Sequence, residues 1–334
     1  MTIQASDIGQ TAAGAVTEII ERATSGRTVA DYAEAIPLPW SVIEEGGWDL
    51  IGVTESAGGG GASLRDLVEV ALAWGQGCVP LPFLESTWAR RWSQAARDQP
   101  GPVSVSVPRP VMQARAMPRP RRDDDSHAQQ PSSTPGGRSM ASEMLTWESD
   151  DESPERRGLA PYGAFPRVLL ARSIGRDLDV LQPAPDGPAD PFAPSLRPSF
   201  VPWTTEIPSD AALELGVIWA AEAAGAAQRL LDLSVEYAKT REQFGKPIGS
   251  FQAVKHRLAD MHSEVQYAES AVIWASLEPE NARRAASYAL NTAIQVAESS
   301  IQVHGGMGFT WEMGLHFYLR TMLVRRQLVH GLLA

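Results

Sequence analysis

Tyr237-Ala-Lys-Thr-Arg241-Glu-Gln-Phe244-Gly245-Lys-Pro247-Ile-Gly249-Ser250-Phe251-Gln252 is a short polar stretch set between two long apolar-periodic segments. Upstream, Leu213, Val217, Ala220, Ala224, Ala227, Leu231 and Val235 recur at steps of three and four, and downstream Phe251, Val254, Leu258, Met261, Val265 and Ala268 do the same. Both patterns predict helices. Gly245, Pro247 and Gly249 interrupt a helix, and the Ser250 hydroxyl is placed to cap the first free amides of the next one. Arg241 and Gln243 therefore fall at a turn between helices, where a guanidinium and a carboxamide can face a phosphate or a carbonyl.

Outward from this hinge, Pro208-Ser209-Asp210 starts a helix that runs to about Tyr237. A second runs from Ser250 to about Ser276, and a third from about Asn281 to Val303, stopped by Gly305-Gly306. A last amphipathic stretch from Glu312 uses Leu315, Leu319, Met322 and Leu323. Long helices with short connections predict an antiparallel four-helix bundle over 208–334. A second polar corner closes the third helix, Gln302-Val-His304-Gly305-Gly306-Met-Gly308-Phe309-Thr310-Trp-Glu312. Glu312 is expected to cap the last helix or face solvent, and His304 has no metal-ligand companion at useful spacing.

With these two segments the chain resembles the acyl-CoA dehydrogenase family of flavoproteins, which carry an Arg-x-x-Phe-Gly turn, a Phe-Gln helix start and a Gln-x-x-Gly-Gly-x-Gly segment in this order. The resemblance covers roughly the last 125 residues; short Gly-rich runs are common, and it is the pair that makes the match specific. It implies a mainly α fold with an N-terminal helical domain over 1–99, a central β-domain over 100–207 and the C-terminal bundle. It also implies bundles that pair, so that a flavin site forms between subunits. By this resemblance Arg241 pairs with the pyrophosphate of the neighbouring subunit's FAD, Phe244 and Gln252 line its adenine end, and Gln302, Gly305 and Gly306 accept the dinucleotide closely, with Gln243 beside them. The bland alternatives are a helix C-terminal arginine bonded to carbonyls for Arg241, and core packing for Phe244 and Phe251.

The N-terminal part reads as helical. Thr11 is placed to cap a stripe of Ala15, Ile19, Ile20 and Ala23, and Ser63 with Asp66 forms a capping-box variant before Leu64, Leu67, Val68, Ala71 and Leu72. Gly58-Gly-Gly-Gly61 comes after no strand and lacks the spaced lysine of a phosphate loop, so a flexible helix connection is expected. The wording around Glu44-Glu-Gly-Gly-Trp48 and Val79–Leu84 is similar to the family's N-terminal helices, which implies that they cover one side of an acyl pocket. In the middle, Val103, Val105 and Val107 alternate with serines, and Arg167–Ala171 and Asp179–Leu181 give further strand signals. From Met112 to Gly158 there is no Ile, Val, Phe or Tyr, and such a segment cannot bury enough apolar surface to offset ordering its backbone. Disorder over 112–158 is expected, and with it a reduced or degenerate β-domain. A natural loop and a shifted reading frame both fit that composition.

Composition sets the bounds. The 334 residues are 43% hydrophobic, long enough for more than one packed unit, and carry a net charge of -11, which argues against nucleic acid or an anionic membrane as the main partner. A single cysteine, Cys78, excludes a disulfide framework and a multi-cysteine metal site, and reads as a small packed thiol. No run approaches ~18 apolar residues and the N-terminus shows no basic-then-apolar pattern, so a soluble cytoplasmic protein is expected.

The chemistry implied is α,β-dehydrogenation of an acyl-CoA, which needs a base for the α-proton and a flavin for the hydride. Most family members place the base glutamate near the C-terminus, where this chain has Gln327-Leu-Val329-His330-Gly331. A minority place it on the helix before the Arg-x-x-Phe turn, a position that falls on Leu215, with Glu214 next to it. Neighbours on a helix point ~100° apart, so Glu214 serves only with a shifted register. Its alternative is a solvated helix-start glutamate. His330 suits neutral pH but stands alone near a chain end. The chain is similar to short actinobacterial subunits of which two unlike copies form an α2β2 enzyme for bulky acyl-CoAs, one having lost its base. The resemblance implies one of three functions: a subunit that helps bind FAD in a homodimer, homotetramer or such a heterotetramer; a self-sufficient dehydrogenase using Glu214; and a non-redox assembly protein.

Overall fold

The computed structural model describes residues 4–33, 35–108, 157–162, 169–174, 177–181, 196, 198–202 and 207–333. Most of the segment expected to be disordered, 112–156, lies outside them. The described residues belong to one compact unit made of Met1–Pro110 and Arg156–Ala334.

Helix α1 spans Asp7–Thr24 and starts a turn before the expected Thr11, because the Ser6 hydroxyl accepts from Gly9 N–H and Asp7 puts a carboxylate in the first turn. The short α2 covers Trp40–Glu45 and α3 covers Leu64–Gly75. The capping box at α3 forms as the sequence predicts, with the Asp66 carboxylate accepting the Ser63 amide at 2.9 Å. The same carboxylate accepts the Ser6 amide at 2.7 Å, so one side chain fixes the starts of both α1 and α3. These hydrogen bonds outweigh its burial and hold Asp66 below the usual carboxylate range. Ser63→Ala is expected to lower stability by about 1 kcal/mol, read as a shifted urea midpoint at constant m-value.

The glycine run is no flexible connector. The amides of Gly59, Gly60 and Gly61 donate to the carbonyls of Thr54, Leu50 and Val53, closing the loop on itself and leaving these donors to no phosphate. Helices α4 (Phe83–Trp92) and α5 (Gln94–Arg97) come next. The bundle is α6 (Ser209–Thr240), α7 (Gln252–Leu277), α8 (Ala282–His304) and α9 (Leu315–Leu332). Helix α3 lies against α6 at a spacing only glycine permits: a Cβ on Gly75 would strike the Glu222 carbonyl oxygen, and one on Gly225 that of Leu72. Trp74, Trp88 and Trp219 fill the core between the N-terminal helices and the bundle. The Trp88 indole N–H donates to the Ala211 carbonyl at 2.9 Å.

Among the described residues the β-structure is small. Strands β1 (Val103–Val105), β4 (Leu169–Ile174) and β5 (Asp177–Leu181) form one sheet, with β1 parallel to β4 in register Val103 to Leu169. A second joins β2 (Val107–Pro108), β3 (Arg157–Ala160) and β6 (Ser199–Pro202), all antiparallel. Among the described residues, two three-stranded sheets lie in sequence between the N-terminal and C-terminal helices. No helix among these residues is long and apolar enough to cross a membrane.

Candidate functional site

Helix α6 ends where its C-cap Arg241 turns extended, its amide still donating to the Tyr237 carbonyl at 2.8 Å. The chain then forms a two-strand hairpin, β7 (Glu242–Gln243) paired with β8 (Lys246–Pro247), which the spacing of the residues does not announce. Its tip is Phe244-Gly245 with φ of 53° and 77°, the double left-handed turn that hairpins of this length demand. Glycine suits that conformation; a phenylalanine there is strained, and Phe244 is 91% exposed. The core-packing alternative for Phe244 is thereby overturned. Its only ring partner among the described residues is the edge of Phe251 at 6.1 Å, with the Lys246 ammonium 4.3 Å from the Phe251 ring.

The Ser250 cap does not form. The Ser250 hydroxyl donates to the Pro247 carbonyl at 2.7 Å, and Phe251 takes the N-cap position of α7 without a side-chain bond. The serine is captured by the short 3-10 turn Ile248–Ser250, which no spacing rule in the sequence signals. Arg241, Gln243 and Gln252 are exposed, and the Arg241 guanidinium has no partner among the described residues. Its alternative role, bonding helix-end carbonyls, is not what the side chain does.

The second corner sits at the same end of the bundle. Helix α8 finishes at His304, and Gly305 continues with φ 59° and ψ −135°, a backbone open to glycine alone. Gly306 differs: its φ is ordinary and a Cβ there would meet nothing within 4 Å. Nothing among the described residues requires a glycine at 306. Gln302 is exposed and accepts a 3.4 Å hydrogen bond from Arg257 Nη1 on α7. Met307, Phe309 and Trp311 stand 44%, 77% and 52% exposed, so large apolar groups border both corners. Glu312 is exposed but does not cap the last helix, because Gly314 in the left-handed region takes that place.

Glu214 is far from solvated. It is 7% exposed on the second turn of α6, its Oε1 2.6 Å from Arg91 Nε and its Oε2 accepting from the Trp92 indole at 3.2 Å. Arg91 also donates to the carbonyls of Gly52 and Ala62, at 2.7 and 2.8 Å, so Glu214 anchors the glycine loop to the bundle. Burial raises the Glu214 pKa, with Arg91 pulling the other way. Leu215 is fully buried and His330 exposed. Cys78 is a packed thiol, its Sγ 3.9 Å from Thr321 Oγ1 and its pKa pushed up by burial to about 12.

Residues 217–328 match the family described as acyl-CoA dehydrogenase, C-terminal domain. The chain is 50% identical over 109 residues to acyl-CoA dehydrogenase IpdE2 of Mycobacterium tuberculosis, a match that spans 31% of this chain and 33% of that protein's length. Over almost the whole chain the fold is shared with solved structures. The ChsE4-ChsE5 complex from Mycobacterium tuberculosis superposes with a TM-score of 0.63 at 20% identity, covering 99% of this chain and 95% of that one. A structure titled PigA with FAD and proline gives a TM-score of 0.64 at 17% identity, covering 98% and 95%.

Proposed function

We propose that this chain, a member of the acyl-CoA dehydrogenase family through its C-terminal bundle, is a cytoplasmic subunit of an enzyme that dehydrogenates an acyl-CoA thioester. It holds FAD across an interface with a homologous chain. The observation that carries this reading is the pair of corners at one bundle end: an Arg241 and a Gly306 that no neighbour among the described residues holds or demands, and a Phe244 held out in strained backbone. Strain and empty space of this kind persist where something outside the chain uses them.

FAD, when bound, supplies the hydride acceptor. The chain's own residues bind and orient it. Arg241 offers its planar fork to the pyrophosphate, and Phe244 and Gln252 offer a ring and an amide to the adenine end, with Gln243 adding an amide beside them. Gln302, Gly305 and Gly306 let the dinucleotide approach the backbone. The α-proton is taken by a carboxylate of the partner chain, because Glu214 has both oxygens engaged and Leu215 and His330 stand where the family's glutamates fall. The assembly is a heterotetramer of two unlike subunits; a homodimer or homotetramer belongs to the reading in which Glu214 is the base.

A second reading, a self-sufficient dehydrogenase with Glu214 as base, draws on the raised Glu214 pKa. Both are tested by purifying the chain alone and with a co-expressed homologue. A flavin spectrum is expected in the assembly, with bleaching by acyl-CoA that survives Glu214→Gln. Loss of bleaching in that variant favours the second reading, and a colourless protein in every assembly state defeats both.

A further inference from the structure

The C-terminal ends of α6 and α8 are joined by two rungs. One turn in from the ends, Ser234 Oγ and Ser300 Oγ lie 2.8 Å apart. At the ends, the Tyr237 and His304 rings stack with centroids 4.3 Å apart and planes 27° from parallel. His304 is 3% exposed. Its Nδ1 lies 2.8 Å from the Ser300 carbonyl oxygen, which can only accept, so Nδ1 carries the proton and the ring orientation is fixed. Burial holds the imidazole below the ordinary histidine range, with the bond to Ser300 pulling the other way.

Each ring belongs to a different corner. The Tyr237 carbonyl receives the Arg241 amide at 2.8 Å, the last bond of α6 before the hairpin, and the Arg241 carbonyl then accepts from Ile248 at 2.8 Å. His304 is the last residue of α8, and the Tyr237 hydroxyl reaches its carbonyl oxygen at 3.5 Å. Through the stack each ring therefore touches a residue in the last turn of the other corner's helix.

We infer that His304 is a positioning residue: through its stack on Tyr237 it sets the Arg241 hairpin and the Gly305-Gly306 turn relative to one another. The inference rests on the reading of the two corners as halves of one dinucleotide grip, and it adds the element that aligns them. Aromatic stacking of this type is favourable beyond the area it buries, and a methyl group in place of the imidazole leaves Tyr237 free to reorient.

The test is amide hydrogen exchange on the full-length chain without ligand. In His304→Ala, exchange is expected to quicken at least about fivefold at Arg241 and Ile248 as well as across 305–310. His304→Phe, which keeps a ring, restores protection at Arg241 and Ile248. His304→Leu, which fills the volume without a ring, does not; this pair carries the comparison if the alanine variant fails to fold. Faster exchange confined to 305–310, or equal restoration by leucine, overturns the inference. In the assembled protein, FAD affinity is expected to fall by a similar factor in the alanine variant and to return with phenylalanine. A wild-type assembly that binds no FAD defeats the functional reading, while the exchange comparison still decides the coupling.

Discussion

Replacing Arg325 by methionine is expected to lower the stability of the chain by about 3–5 kcal/mol, on the order of a 10 °C fall in melting temperature. Arg325 is 1% exposed in the middle of α9. Its Nη1 lies 2.6 Å from Glu85 Oε1 on α4 and its Nε 2.6 Å from Glu222 Oε2 on α6, so one guanidinium joins three helices. The Trp219 indole donates to the same Glu85 oxygen at 2.8 Å, and the guanidinium carbon sits 4.9 Å from the Trp219 ring. Without the cation, two carboxylates remain in the core with no counter-charge.

The same cluster gives a pH dependence. Burial raises the Glu222 pKa, Arg325 pulls against it and Glu85 adds to the rise. A carboxyl whose folded pKa lies above its unfolded value binds its proton more tightly in the folded state. Its contribution is therefore present below about pH 4.3 and is lost as pH rises toward the raised value. Glu222→Gln should flatten that slope at small cost near neutral pH, while Arg325→Met should steepen it. Thermal melts of the three proteins from about pH 4.5 to 8 check this. An Arg325→Met chain that melts with wild type at neutral pH would mean that the cluster contributes no net stability.

How much of this was legible in the sequence depends on how local each cause is. The four bundle helices were readable because their apolar stripes run for several turns and are stopped by Gly245, Pro247 and Gly305. The Ser63 capping box was readable because its two members sit three residues apart. The hairpin was not, since Phe244 is a residue the left-handed turn disfavours. The Glu214 anchor and the Arg325 cluster depend on partners more than a hundred positions away, which no window sees. A trace existed all the same: Arg325 falls in step with Leu315, Tyr318, Met322 and Val329, a charge inside a buried stripe. A charge so placed asks for a buried partner, and Glu222 lies in just such a stripe of α6. For the site, the two motifs gave the corners but not the Tyr237–His304 contact between them, because stacking across helix ends leaves no periodic mark.

Arg241→Ala is expected to weaken FAD binding by the assembled protein about 10- to 100-fold, the loss of one charge-assisted, bidentate contact worth about 1.5–3 kcal/mol. The fold should be indifferent to the change. Arg241 is exposed, its side chain has no partner among the described residues, and the bonds that end α6 are made by its backbone, which alanine keeps. Arg241→Lys should recover part of the affinity, since it restores the charge and not the fork, and that recovered part should fade as salt is raised. Gly306→Val supplies the complementary test by filling the space beside the second corner while leaving the charge in place; nothing in the chain obstructs the added Cβ. Both variants should therefore melt with wild type and yet bind FAD less tightly, as measured by flavin fluorescence on titration into the apoprotein. Should Arg241→Ala instead lower the melting temperature and leave flavin affinity untouched, the arginine would be a helix-end residue after all and the shared dinucleotide site would lose its anchor.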